Sequence, residues 1–238
     1  MLRNLLITLF VFLTSSLGFC KIGMRINLAG GAYYAAITAT DTTGAVARLA
    51  SDMSYRFSPE LGFRTSKRFE IVLRGEIDSN RYLPPTDVSL NNHAGNTFAY
   101  YAGFWSDFGR VGVSFLGGYA KEAYLSSTSQ SVLNMDPANI PKLMLELNYN
   151  IIDLNSFHFM FTPIGSYYLK KTVGTFTVQK GYTYGAGVKV GFGSELQFWL
   201  YSNYLIKSFQ LDWGKQKTSE LIFGFMLQTS SRGKGEKK

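Results

Sequence analysis

The ten residues Lys142–Ile151, KLMLELNYNI, put Leu143, Leu145, Leu147, Tyr149 and Ile151 on one side of an extended chain and Lys142, Met144, Glu146, Asn148 and Asn150 on the other. Successive side chains of a strand point to opposite faces, so this period of two defines a strand with one greasy and one hydrophilic face. A helix would scatter both sets around its axis. The same test separates Met53, Tyr55, Phe57, Pro59, Leu61 and Phe63 from Asp52, Ser54, Arg56, Ser58, Glu60, Gly62 and Arg64. It also separates Phe69, Ile71, Leu73 and Ile77 from Glu70, Arg74, Glu76 and Asp78, and Tyr182, Tyr184, Ala186, Val188, Val190 and Phe192 from Thr183, Gly185, Gly187, Lys189 and Gly191.

Extended along the chain, the pattern predicts ten strands near 24–37, 51–64, 69–82, 97–107, 110–125, 141–151, 156–171, 181–192, 195–211 and 219–228. Connections alternate between short (65–68, 108–109, 152–155, 193–194) and longer (83–96, 126–140, 172–180, 212–218). Segments of about ten alternating residues joined this way are the pattern of a transmembrane antiparallel up-and-down β-barrel, with eight or twelve strands as neighbouring solutions. Aromatic residues flank the segments as interfacial girdles would: Phe63, Phe69, Phe108, Phe157 and Phe192 near short turns, and Tyr34, Tyr82, Phe98, Tyr167, Tyr182 and Trp213 near long ones.

Composition agrees. Of 238 residues, 46% are hydrophobic and 17% charged, which excludes a disordered chain, and 24 glycines with 16% aromatics favour sheet. One cysteine excludes a disulfide scaffold and a cysteine-ligated metal site. The net charge of +8 is spread thinly apart from Arg232, Lys234, Lys237 and Lys238 beside Glu236, so a nucleic-acid face is not expected. Met1–Asn4 with Arg3, then the apolar Leu5–Leu13 and Thr14–Ser16, has the form of a secretory signal peptide. Its apolar core is about half of what a spanning helix needs. Gly18 and Cys20 place cleavage before Lys21, and Ser16 with Gly18 is the other small pair; Leu17–Cys20 departs from a lipoprotein signal at Phe19. The expected organisation is signal peptide 1–20, barrel 21–228 and basic periplasmic tail 229–238.

From Lys21 to Gln228 the pattern resembles the small bacterial outer-membrane β-barrel proteins. The resemblance implies residence in the outer membrane, contact with its lipid and lipopolysaccharide, and recognition of the last strand by the barrel assembly machinery. That strand, Glu220–Gln228, carries Phe223, Phe225 and Leu227 on its apolar face, similar to the family's C-terminal assembly signal, although ten residues follow it here.

Inside such a barrel the hydrophilic faces meet. If strands two and three pair with residue numbers summing to 134, Arg64 meets Glu70, Glu60 meets Arg74 and Arg56 meets Asp78, while Phe63 meets Ile71 and Leu61 meets Leu73 outside. Arg25, Glu76, Glu146, Lys142, Lys189 and Lys207 complete a mixed-sign lumen, expected to be largely packed, with no long inward loop identifiable as a constriction. A second cluster, Lys170, Lys171, Lys180, Lys215 and Lys217 on the last two long loops, is a candidate rim for lipopolysaccharide phosphates.

No catalytic residue, metal site or cofactor is assigned. His93 has Asp87, Asn91 and Asn92 nearby, and His158 is expected on the interior face close to Asn148 or Asn150. The Asp-x-Asp and Asp-x-His pairs of the omptin proteases are absent, and Asp41, Asp52, Asp87 and Asp136 are too scattered for a calcium loop. A structural or surface-interaction role is therefore the leading expectation, with a narrow channel second and an enzyme third.

Overall fold

The computed structural model describes residues 23–52, 54–84, 89–90, 96–129, 132–173 and 176–231. Ten long strands form the wall: β1 (Gly23–Asp41), β2 (Ser54–Ser66), β3 (Phe69–Ser79), β4 (Thr97–Asp107), β5 (Val111–Ser129), β6 (Val132–Asp153), β7 (Phe157–Tyr168), β8 (Phe176–Phe192), β9 (Leu196–Leu211) and β10 (Gly214–Ser231). Each pairs antiparallel with its neighbour in sequence, and β10 returns to β1 from Met24↔Ser231 to Asp41↔Gly214, closing the barrel. Closure leaves no free edge in the wall, the condition a sheet must meet to sit in lipid. Four short segments, Val46–Ser51, Tyr82–Leu83, Ser89–Leu90 and Lys171–Val173, add to it at the long-loop end.

The wall sorts its side chains as the alternation requires. Leu73, Leu145, Leu200, Phe57, Phe104, Phe115 and Phe225 lie exposed on the outside, in contiguous rows such as Phe69–Phe104–Phe115 with ring centroids 5.5 and 5.7 Å apart. Between β2 and β3 the register is Arg56↔Asp78, Glu60↔Arg74 and Arg64↔Glu70, the sum of 134 that charge pairing demanded. A bulge follows between Arg64 and Ser66.

Several strands run further than expected. The 126–140 connection is mostly hairpin, with β5 and β6 paired from Val111↔Tyr149 to Ser129↔Val132. The 212–218 loop is a two-residue turn, because β10 starts at Gly214. Gly214–Thr218 and Met135–Ile140 carry few large apolar side chains on either face, so hydrophobic alternation fades there while the backbone pairing continues. Two aromatics expected in the outer girdle are elsewhere: Tyr82 is buried in an apolar cluster, and Trp213 packs against the same material.

That material closes one end of the barrel. Pairing of β4 with β5 stops at Ala99↔Ala120, and pairing of β7 with β6 stops at Tyr168↔Lys142. Beyond those points the β5–β6 hairpin leaves the wall and leans across the mouth, contrary to the expectation of no inward constriction. Tyr124 packs on Phe176 and Phe209 (5.4 and 5.1 Å between centroids), and Leu125, Leu133 and Met135 join Ile37, Leu49, Tyr82 and Leu90.

Candidate functional site: the lumen and its closed mouth

Strand alternation aims every second residue of β1, β2, β3, β6, β9 and β10 at the axis, and these residues form a connected ion-pair network. Arg25 donates from Nη1 to Glu60 (2.6 Å) and from Nε to Glu70 (2.7 Å). Arg64 reaches the other oxygen of Glu70 at 3.1 Å. Arg74 holds Glu146 with both terminal nitrogens (2.6 and 2.9 Å) and Glu60 through Nε (2.6 Å). Arg56 clamps Asp78 with two bonds of 2.6 and 2.7 Å, and its guanidinium lies 4.9 Å from the Tyr33 ring centre. Forked guanidinium–carboxylate geometry is the strong form of such pairs, and it matters where side chains are withdrawn from bulk water.

Nearer the mouth, Lys207 bridges Glu122 (2.8 Å) and Glu220 (2.7 Å), while Tyr33 and Tyr168 donate to the same two carboxylates at 2.6 and 2.7 Å. Glu122 and Glu220 were not singled out from sequence, although both keep the two-residue phase of the interior face. Lys189 donates to Asn148 at 3.2 Å, beside Glu146. Among the described residues Glu76 accepts a single 3.4 Å bond, from Tyr101, and the Lys142 ammonium sits 5.5 and 5.1 Å from the Tyr101 and Tyr168 ring centres.

The interior is thus divided. Its outer end is filled by the hairpin and the apolar clusters. Below lies a polar cavity of about 370 Å³ that extends from Glu122 and Lys142 down to Asp153, Gln197 and Gln228 at the short-turn end.

Gln216 of β10 fastens the hairpin. Its carboxamide donates to the Ala123 carbonyl and accepts from the Leu125 N–H, both at 2.9 Å, so one side chain satisfies the edge of β5 as a neighbouring strand would. Sequence reading placed Gln216 in a loop and could not reveal this partner.

His158 lies on the interior face, one residue pair from Met160↔Asn150, and its hydrogen-bond partners are other groups than the asparagines. Its Nδ1 is 2.7 Å from Asp153 and its Nε2 3.2 Å from the Gly193 carbonyl, joining two short turns, with Trp199 alongside. His93 lies outside the described residues. Among the described residues no three His, Cys, Asp or Glu side chains gather as a metal would need.

The five rim lysines do not all occupy loops. Lys180 and Lys215 flank Gln210 in one cross-strand row beyond Tyr182, and Lys217 lies opposite Ser208 and Thr38 in the same row as Tyr182, one row beyond Tyr184, all on the outer wall. Lys170 is exposed beside β7, and Lys171 lies 5.7 Å from the Tyr119 ring centre. Two groups result: Lys180, Lys215 and Lys217 on β8 and β10, and Lys170 with Lys171 beyond β7.

Comparison with solved structures gives the outer-membrane protease OmpT from Escherichia coli at TM-score 0.50 and 9% identity, covering 88% of this chain and 97% of that one. The fold is that of an outer-membrane β-barrel. An outer-membrane channel from Pseudomonas putida F1 aligns at TM-score 0.48 and 10% identity (88% and 96% covered), and the attachment invasion locus protein Ail of Yersinia pestis at 0.36 and 9% (86% and 97% covered). No protein-family model and no curated protein matches the sequence. The likeness to OmpT is one of fold, and architecture alone does not carry activity.

Proposed function

We propose that this chain is an exported, integral outer-membrane barrel with a structural or surface-interaction role, closed to solute flow in its resting state. The observation that carries this reading is the β5–β6 hairpin, seated across the mouth and fastened by Gln216. The lipid-facing rows of Leu, Phe and Tyr support membrane residence, because soluble proteins rarely leave contiguous apolar surface beyond a few hundred Å². A non-catalytic role is supported by His158, whose ring nitrogens face Asp153 and a backbone carbonyl.

In planar bilayers the purified protein is expected to stay silent; reproducible unitary steps would favour a second reading, a narrow channel. The cavity beneath the hairpin is what favours that alternative. The basic rim is assigned to lipopolysaccharide phosphate, with Lys180 and Lys215 beyond Tyr182, and Lys217 level with it, as its wall-borne part. Reversing these three charges should reduce co-purifying lipopolysaccharide, and unchanged content would remove the assignment. The final strand, with Phe223, Phe225 and Leu227 exposed, is proposed as the segment read by the assembly machinery.

A further inference from the structure

Among the described residues, Glu76 and Lys142, of opposite sign, stand outside the ion-pair network, as does Lys189, which is held by the Asn148 carboxamide at 3.2 Å. Among the described residues, Glu60, Glu70, Asp78, Glu122, Glu146 and Glu220 each have a cationic partner within 4 Å. Glu76 of β3 has only the long bond from the Tyr101 hydroxyl. Lys142 of β6 is 7% exposed and lies against aromatic rings; among the described residues no carboxylate comes within 4 Å of its ammonium, and Glu76 and Glu122 attract it from further away. Both line the same cavity of about 370 Å³.

Cross-strand registers locate the two groups relative to each other. One inward row runs Arg74, Tyr101, Gly118, Lys142, and the next runs Glu76, Ala99, Ala120, Ile140. Tyr101 therefore stands between the charges, its ring against the ammonium and its hydroxyl toward the carboxylate. Ala99 and Ala120, beside them, reach the cavity only at its edge, being 8% and 2% exposed under the apolar cluster.

We propose that this part of the cavity binds a small zwitterion of the α-amino acid class, its carboxylate on Lys142 and its ammonium on Glu76, with little room for a side chain beyond a methyl group. Lys142 is withdrawn from water and Glu76 partly so, with no direct contact between them, and a ligand carrying both signs bridges the two while adding no net charge. Acetate or methylammonium compensates one and leaves the other, so each should bind more weakly.

The test is titration of the folded, detergent-solubilised protein at neutral pH with L-alanine and glycine, followed calorimetrically, against acetate and methylammonium. Expected are saturable binding of the amino acids, at least tenfold weaker binding of either single ion, and at least tenfold loss in Glu76→Gln. Lys142→Met should behave the same way, and the double variant should keep its heat-resistant gel mobility while binding nothing. No saturable binding to the wild-type barrel, equal binding of acetate, or full binding by folded Glu76→Gln would overturn the proposal. Conductance is not the readout, so such a failure leaves the closed-barrel reading untouched.

Discussion

Replacing Gln216 by leucine tests whether one carboxamide holds the mouth shut. Leucine is similar in size and remains compatible with the apolar surroundings, but it offers no polar atom. The Leu125 N–H and the Ala123 carbonyl, both bonded to Gln216 at 2.9 Å, then stay buried without partners whenever the hairpin is docked. Each such group costs about 1–3 kcal/mol, so docking should weaken by roughly 2–6 kcal/mol. At 1.4 kcal/mol per factor of ten, the undocked fraction rises about 30-fold to 20,000-fold. The measurement is hydrogen exchange at the Leu125 amide, which should accelerate by that factor, whereas Gln210→Leu on the outward face of β9 should leave it unchanged. Tyr124, Phe176 and Phe209 still favour the docked state, so Gln216→Leu alone should give rare conductance bursts. Adding Tyr124→Ala, which removes a further ~3–5 kcal/mol of packing, should lengthen them. An unchanged Leu125 exchange rate in a folded Gln216→Leu barrel would refute the reasoning.

Three further perturbations test the wall and the lumen. Glu60→Ala strips a partner from both Arg25 and Arg74, and should lower unfolding free energy in denaturant titration by about 3–5 kcal/mol; a loss below 1 kcal/mol would mean that water reaches these guanidiniums freely. At Gly187 an added Cβ would lie 1.8 Å from the Asn203 Oδ1 and 2.9 Å from the Ser202 carbonyl, so Gly187→Ala should destabilise by about 1–3 kcal/mol and Gly187→Ala/Asn203→Ala should recover the part due to the side chain; equal stability of the two variants would show that the Asn203 clash is not the cause. In the turn after β1 the Thr43 hydroxyl, with the backbone N–H groups of Ala45, Thr43 and Gly44, holds the Asp41 carboxyl below its ordinary value. A lowered folded-state value means that the contribution is present above the ordinary carboxylate range and is lost as pH falls through the lowered one. Exchange at the Thr43 and Ala45 amides, corrected for intrinsic rate, should rise on acidification and stay flat in Asp41→Asn.

Much of the wall was legible in the residues. Lys142–Ile151 displays the period-two partition directly, and the charge order Arg56, Glu60, Arg64 against Glu70, Arg74, Asp78 admits one register that also matches the apolar face. Local alternation suffices there because a strand's neighbours in a meander are its neighbours in sequence. The candidate site was legible in part: the lumen charges were assigned to the correct face, but Glu122, Glu220 and the fate of Tyr82 were not foreseen. Their partners come from strands far away along the chain, as when Lys207 reaches Glu122 across 85 positions.

By itself the sequence determined which side of each strand meets lipid and which meets the axis, because that choice follows from the chemistry of single residues at fixed spacing. Only the tertiary structure decided that the mouth is closed. The β5–β6 hairpin leaves the wall where pairing to β4 and β7 ends, and it is caught by Gln216 from 91 and 93 positions away. Pairing between β5 and β6 would be satisfied whether the hairpin stood upright or leaned inward, so the choice rests on contacts across the barrel, which no local pattern encodes.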